Sequence, residues 1–108
     1  MEDNRRYVKN IREELEAIYN GEVENEDGEV KTFWDYITEE ALDYTYTINS
    51  DRSYRACRLL ITFGGPNVYI DTLEKEIQLY WGGEKETEWL PTEIADEIDT
   101  VMEEMFNA

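Results

Sequence analysis

Histidine is absent from this chain of 108 residues, cysteine occurs once, and lysine and arginine together number only ten. Without histidine there is no imidazole for proton transfer near neutral pH or for metal ligation, so acid–base chemistry would fall to carboxylates alone. The lone Cys57 has neither a histidine nor a CxxC partner and cannot close an internal disulfide. Set in an apolar strand pattern, such a thiol packs as a small hydrophobe. No apolar run approaches the ~20 residues of a membrane span. The start, Met1-Glu2-Asp3-Asn4-Arg5-Arg6, leads into a polar amphipathic segment instead of the apolar stretch of a signal peptide. The expectation is a cytoplasmic protein that is not an enzyme and carries no cofactor and no metal.

The scarcity of positive charge is the most informative of these shortages. Against ten bases stand 27 Asp and Glu, a formal net charge of −17. Disorder does not account for it, because disordered acidic chains lack aromatic and β-branched residues, whereas here 41% of residues are hydrophobic and 13% aromatic. A chain of this length and composition can bury a core as one domain, residues 1–108. The charge is uneven: residues 1–20 sum to −1, 21–51 to −9, 52–70 to +3 and 71–108 to −10. Fields of this size act on association more than on fold. The natural partner is a strongly basic protein surface. Direct nucleic-acid binding is disfavoured, since a polyanion would be repelled.

Apolar periodicity places the elements. Val8, Ile11, Leu15 and Ile18 lie on one helical stripe between Asn4 and Asn20, which Gly21 ends. Residues 21–31, GEVENEDGEVK, have no sustained apolar period and read as a mobile acidic loop, with a small hairpin about Asp27-Gly28 as one form it can take. Thr32 and Asp35 have capping-box spacing and open a second helix, whose stripe runs through Ile37, Ala41, Tyr44 and Ile48 to Asn49-Ser50-Asp51. The period then drops to two. Residues 55–63 read as a strand burying Cys57, Leu59, Ile61 and Phe63, followed by the Gly64-Gly65-Pro66-Asn67 turn and strands at 68–72 and 77–81. In those two strands Val68, Ile70, Ile77 and Leu79 face inward and Tyr69, Asp71, Gln78 and Tyr80 outward. Residues 82–86 read as a further turn. Leu90-Pro91-Thr92 introduces a last helix with Ile94, Ile98, Val101 and Met105 inward. The predicted fold is α+β: two N-terminal helices, a three-stranded antiparallel β-meander and a C-terminal helix, with the helices on one face of the sheet.

Motifs for chemistry fail on inspection. Aligning Gly28 with the glycine of a calcium loop puts Val23 at the first ligand position and Trp34 at the last, where Asp and a bidentate Glu are needed. The Gly64-Gly65 turn joins two strands and lacks the lysine and Ser/Thr of a phosphate-binding loop. Arg52, Arg55 and Arg58 fall on alternating strand faces, where pairing with the acidic blocks is their expected use. What remains is acidity arranged in rows. Glu93, Glu97, Thr100 and Glu104 form one stripe of the last helix, with Asp96, Asp99 and Glu103 alongside. Carboxylates four apart rise by about 6 Å, comparable to neighbouring phosphates along a nucleic-acid strand. An ordinary surface intersperses both signs, yet residues 71–108 offer only Lys75 and Lys85 against twelve acids. The candidate contact set is therefore Glu93, Asp96, Glu97, Glu103 and Glu104, extended by Glu84, Glu86, Glu88 and Asp71. Exposed aromatics would supply apolar anchors, for which Tyr69, Tyr80, Tyr36 and Trp89 are candidates.

The hairpin ITFGGPNVYIDT (61–72), followed by IQLYW (77–81) and the acidic helix 94–106, resembles small acidic proteins of bacteriophages and other bacterial mobile elements. That population includes anti-CRISPR and other anti-defence inhibitors. The resemblance implies an acidic DNA mimic in the cytoplasm of a bacterial host, a monomer or weak dimer that occupies the nucleic-acid groove of a CRISPR effector or another defence nuclease. It assigns no target-specific residue. The competing expectation is an immunity protein that neutralises a basic nuclease toxin by the same electrostatics.

Overall fold

The computed structural model describes residues 2–108, the Glu2 side chain excepted. The elements in order are α1 (Glu2–Tyr19), α2 (Phe33–Glu40), β1 (Asp43–Ile48), β2 (Tyr54–Thr62), β3 (Asn67–Asp71), β4 (Glu76–Trp81), β5 (Glu84–Trp89) and α3 (Thr92–Asn107). The five strands form one antiparallel sheet in chain order. The α+β class is as expected, but the meander has five strands where the periodicity predicted three.

The first added strand, β1, was predicted as the second half of α2. Tyr44 and Ile48 fall on the helical stripe of Ile37 and Ala41, but after Asp43 the segment DYTYTI is all aromatic or β-branched, which favours a pleated surface. Helix α2 stops at Glu40. Its C-cap, Ala41, is extended, with ψ 118°, and the next residue, Leu42, already donates its N–H to Leu60 O at 2.8 Å. The predicted capping box is present at the other end: Asp35 N donates to Thr32 Oγ1 at 3.2 Å and Thr32 N to Asp35 Oδ2 at 3.0 Å.

Of the second added strand, β5, residues 84–86 were predicted as part of a turn and 87–89 carried no element. Only Gly82 and Gly83 make that turn, both with positive φ (59° and 83°), and Trp81 pairs directly with Glu84 across it. This is the geometry that a two-residue hairpin requires and that glycine adopts without strain. Charged residues dominate β5, as suits an edge strand that must not recruit another chain.

The pairing register aligns Leu59, Ile70 and Ile77 in one row and Val68 with Leu79 in the next, all of them fully buried. Helices cover this face: α1 packs over β4 and β5, and α3 over β2 and against α1 and α2. The inner face of α3 is Ile94, Ala95, Ile98 and Met102, with the predicted Val101 and Met105 flanking it, partly buried. Phe63, predicted inward, lies just past the end of β2 and is 75% exposed. Gln78, predicted outward, is on the uncovered face yet buried, because Arg58 donates to its Oε1 (3.1 Å from Nη2) and its Nε2 donates to Glu76. Residues 21–31 take the hairpin form. Asn25 Oδ1 accepts from Asp27 N and Glu29 N, both at 3.0 Å, and Lys31 N donates to Val23 O at 2.7 Å.

Candidate acidic interaction surface

Helix α3 is held by its inner stripe, so its outer stripe is free to carry any polar residue. It carries acids. Glu93, Asp96, Glu97, Glu103 and Glu104 are all exposed, the helix has no basic residue, and none of these five joins an ion pair among the described residues. Helix stability does not explain the choice. Glu93 and Glu97 are a like-charge pair one turn apart, which costs about 0.2–0.5 kcal/mol, and Glu103 and Glu104 lie near a C-terminus whose dipole favours cations. Asp99 differs from the rest: its Oδ1 accepts from Tyr54 Oη at 2.5 Å, anchoring α3 to β2. Burial, and then this bond to a carboxylate, push the Tyr54 phenol well above its ordinary range.

The second acidic block adjoins the first. Glu97 lines a groove with Gly21, Val30 and Lys31 at the root of the 21–31 hairpin, and Glu93 lines a neighbouring one with Tyr19 and Asn20. Exposed Glu22, Glu24, Glu26, Asp27 and Glu29 therefore extend the α3 row. Asp35 is not part of that free charge; the Thr32 N–H holds its carboxyl below the usual range.

The remaining candidates lie elsewhere. Glu84 is exposed at the start of β5. Glu86 and Glu88 point to the helical side, pairing across β4 with Leu79 and Ile77, and are half-buried. Helix α1 meets them with cations: Arg5 Nη1 is 3.8 Å from Glu86 Oε2, and Arg12 Nε is 3.5 Å from Glu88 Oε2. Arg12 Nη1 also donates to Glu16 Oε1 at 2.7 Å, although its buried Nε lacks a well-aligned acceptor. Asp71, Tyr69 and Tyr80 occupy the uncovered face of the sheet, away from α3. There the Arg58 guanidinium sits 3.6 Å over the Tyr69 ring and 3.8 Å from Asp71 Oδ2, and Tyr69 packs edge-on to Tyr80. The eleven candidates thus divide among three surroundings, and only the α3 five form one exposed, unpaired surface. Of the proposed anchors, Trp89 is exposed, whereas Tyr36 is only 1% exposed and belongs to the core.

Two acids outside the predicted set stand out. Glu14 on α1 and Glu40 at the end of α2 repel each other, and partial burial followed by Glu40 raises the Glu14 carboxyl above its ordinary value. No local spacing signals this pair, because it forms only when α1 and α2 each pack against α3. Burial pushes the Cys57 thiol up to about 11, which leaves it protonated and unreactive at neutral pH. Among the described residues no group of three or more His, Cys, Asp or Glu could hold a metal ion, and no helix is long and apolar enough to cross a membrane. No protein-family model matches the chain, and comparison with curated proteins and with solved structures gave no match.

Proposed function

We propose that this protein is an acidic DNA mimic that binds the nucleic-acid groove of a bacterial defence nuclease, a CRISPR effector complex foremost, and blocks DNA binding there. The observation that carries this reading is the unneutralised acidity of α3 and the adjoining hairpin on a chain of net charge −17. Carboxylates take the place of phosphates in a basic groove. Their field steers encounter, and the anions displaced from the groove add affinity. The inhibitor acts in the cytoplasm of the host as a monomer or weak dimer.

The test is displacement of labelled DNA from a panel of purified CRISPR effector complexes. The expected result is stoichiometric loss of DNA binding for at least one member, weakening as salt rises because exposed charge is screened over about 10 Å at 0.1 M ionic strength. Absence of competition across the panel contradicts the reading. Capture of a nuclease toxin in its place converts it to immunity against that toxin.

A further inference from the structure

Beside the end of β2, helices α1 and α2 leave a solvent-open cavity of about 370 Å³. Buried Ile11 and Ile61 are among its lining, together with Tyr7 and Tyr36, and Glu14 and Glu40 bring carboxylates to it from the two helices. It lies on the helical side of the sheet, the side that carries α3.

Two features of this cavity have no use within the fold. The first is the carboxylate pair. Neither Glu14 nor Glu40, both exposed, makes an ion pair or hydrogen bond among the described residues, and Glu40 raises the cost of the Glu14 charge. The base that partly offsets Glu14, Lys31, is committed elsewhere: its Nζ is 3.1 Å from Glu39 Oε2 and 5.8 Å over the Tyr36 ring. The second is the Tyr36 hydroxyl. The residue is 1% exposed, and its phenol makes no hydrogen bond among the described residues; the oxygen is the part left at the open cavity, since among the described residues Arg12 Nε is the one fully buried side-chain polar atom without a partner. After burial, the groups that act on this phenol are Glu14, Glu40 and Tyr7, all lining the cavity, so its oxygen faces that space.

We propose that the cavity is an arginine pocket, receiving a guanidinium from the basic partner between Glu14 and Glu40, with Tyr36 Oη as a third acceptor and the aliphatic stem against Ile11 and Ile61. The identity of the donor as a basic protein rests on the function proposed above; the chemistry of the pocket does not. A guanidinium has five donors and no acceptor, which complements two carboxylates and a phenol oxygen. It is planar, weakly hydrated and stacks on aromatic rings such as the exposed Tyr7, whereas an ammonium is compact and strongly hydrated. A hard divalent cation would need about six or more oxygen ligands, more than the cavity's acids supply.

The experiment is an NMR titration of the intact protein with N-acetyl-arginine amide, with the corresponding lysine and citrulline amides as probes of charge and shape. Saturable shifts are expected at Glu14, Tyr36 and Glu40 with the arginine probe, at least fivefold weaker with lysine and absent with citrulline. The Glu14→Gln/Glu40→Gln variant should lose the response and melt at least as high as the parent, since repulsion is removed. Should that variant fail to fold, Tyr36→Phe keeps the ring, removes the acceptor and should weaken binding. Equal response to lysine and arginine, shifts that do not saturate and spread over α3 and the hairpin, or variants that bind as the parent does each overturn the pocket. Saturable arginine binding with no nuclease partner found leaves the pocket standing and removes the proposed function. Parent-like target affinity in the double variant does the reverse.

Discussion

Strand β5 and helix α3 are both acid-rich, and they use that acidity in opposite ways. Glu86 and Glu88 on β5 turn under α1, where Arg5 and Arg12 meet them. Glu93, Glu97 and Glu104 on α3 turn to solvent with no cation supplied. Four of the ten bases of the chain lie on α1, which packs over β5, and none lies on α3. Charge on β5 therefore docks a helix, while charge on α3 works against its own helix and is available to a partner. Acid content alone does not mark an interaction surface; the placement of counter-charge does.

The comparison can be broken most forcefully from inside. Ile98→Ala removes the centre of the α3 inner stripe, fully buried, and should cost about 2–5 kcal/mol in denaturant unfolding. A parent-like midpoint would show that α3 is not anchored as described. Next is the β5 seam: Arg12→Ala strands the half-buried Glu88 and deletes a packed stem, with an expected loss of about 1–3 kcal/mol. The corresponding change on the outer row, Glu97→Gln, relieves a like-charge pair and should stabilise by about 0.2–0.5 kcal/mol. If both changes moved stability in the same direction, the distinction between the two surfaces would fail.

Most of the helical layer and the central hairpins were legible in the sequence because single elements carry them. The 3.6-residue stripes of α1 and α3 and the alternation in β2, β3 and β4 are local signals. Strand β1 was missed because Tyr44 and Ile48 fit a helical period by coincidence, and the aromatic and β-branched run outweighed it. Strand β5 was missed because an edge strand made of charge has no apolar alternation. The outer row of α3 was legible for the same reason as its core stripe. The neutralisation of Glu86 and Glu88, the burial of Tyr36 and the Glu14–Glu40 pair depend on which helix lands on which strand, and no residue spacing encodes that.

Mild acid should discharge Glu14 before the hydrogen-bonded Asp35 and Asp51. Glu14 is raised above its ordinary 4.5 by burial and Glu40, so the folded chain binds its proton before the unfolded chain does. Stability should rise as pH falls from neutrality toward 4.5. Asp35 and Asp51 are lowered from 3.8, by the Thr32 N–H and by Ser53 respectively, so the stability they contribute is lost as pH falls through their folded values, below 3.8. The charged groups facing Glu14 are Glu40, which adds to the rise, and Lys31, which partly offsets it. Melting curves between pH 7 and 3 should show this maximum, with a shallower upper limb in Glu14→Gln. A melting temperature that falls steadily from neutrality would contradict it.

The central claim is that the unneutralised row of α3, above the other acids, engages a basic nucleic-acid groove. The direct measurement is inhibitor affinity for its captured target as a function of salt, for the parent, for Glu93→Lys/Glu97→Lys/Glu104→Lys, and for Glu22→Lys/Glu24→Lys/Glu26→Lys in the hairpin. The account predicts that the α3 triple variant folds as the parent does, loses at least tenfold in affinity and has a flatter salt dependence, with a smaller loss for the hairpin variant. An α3 variant that binds as tightly as the parent while the hairpin variant fails would move the contact to the hairpin and contradict the claim.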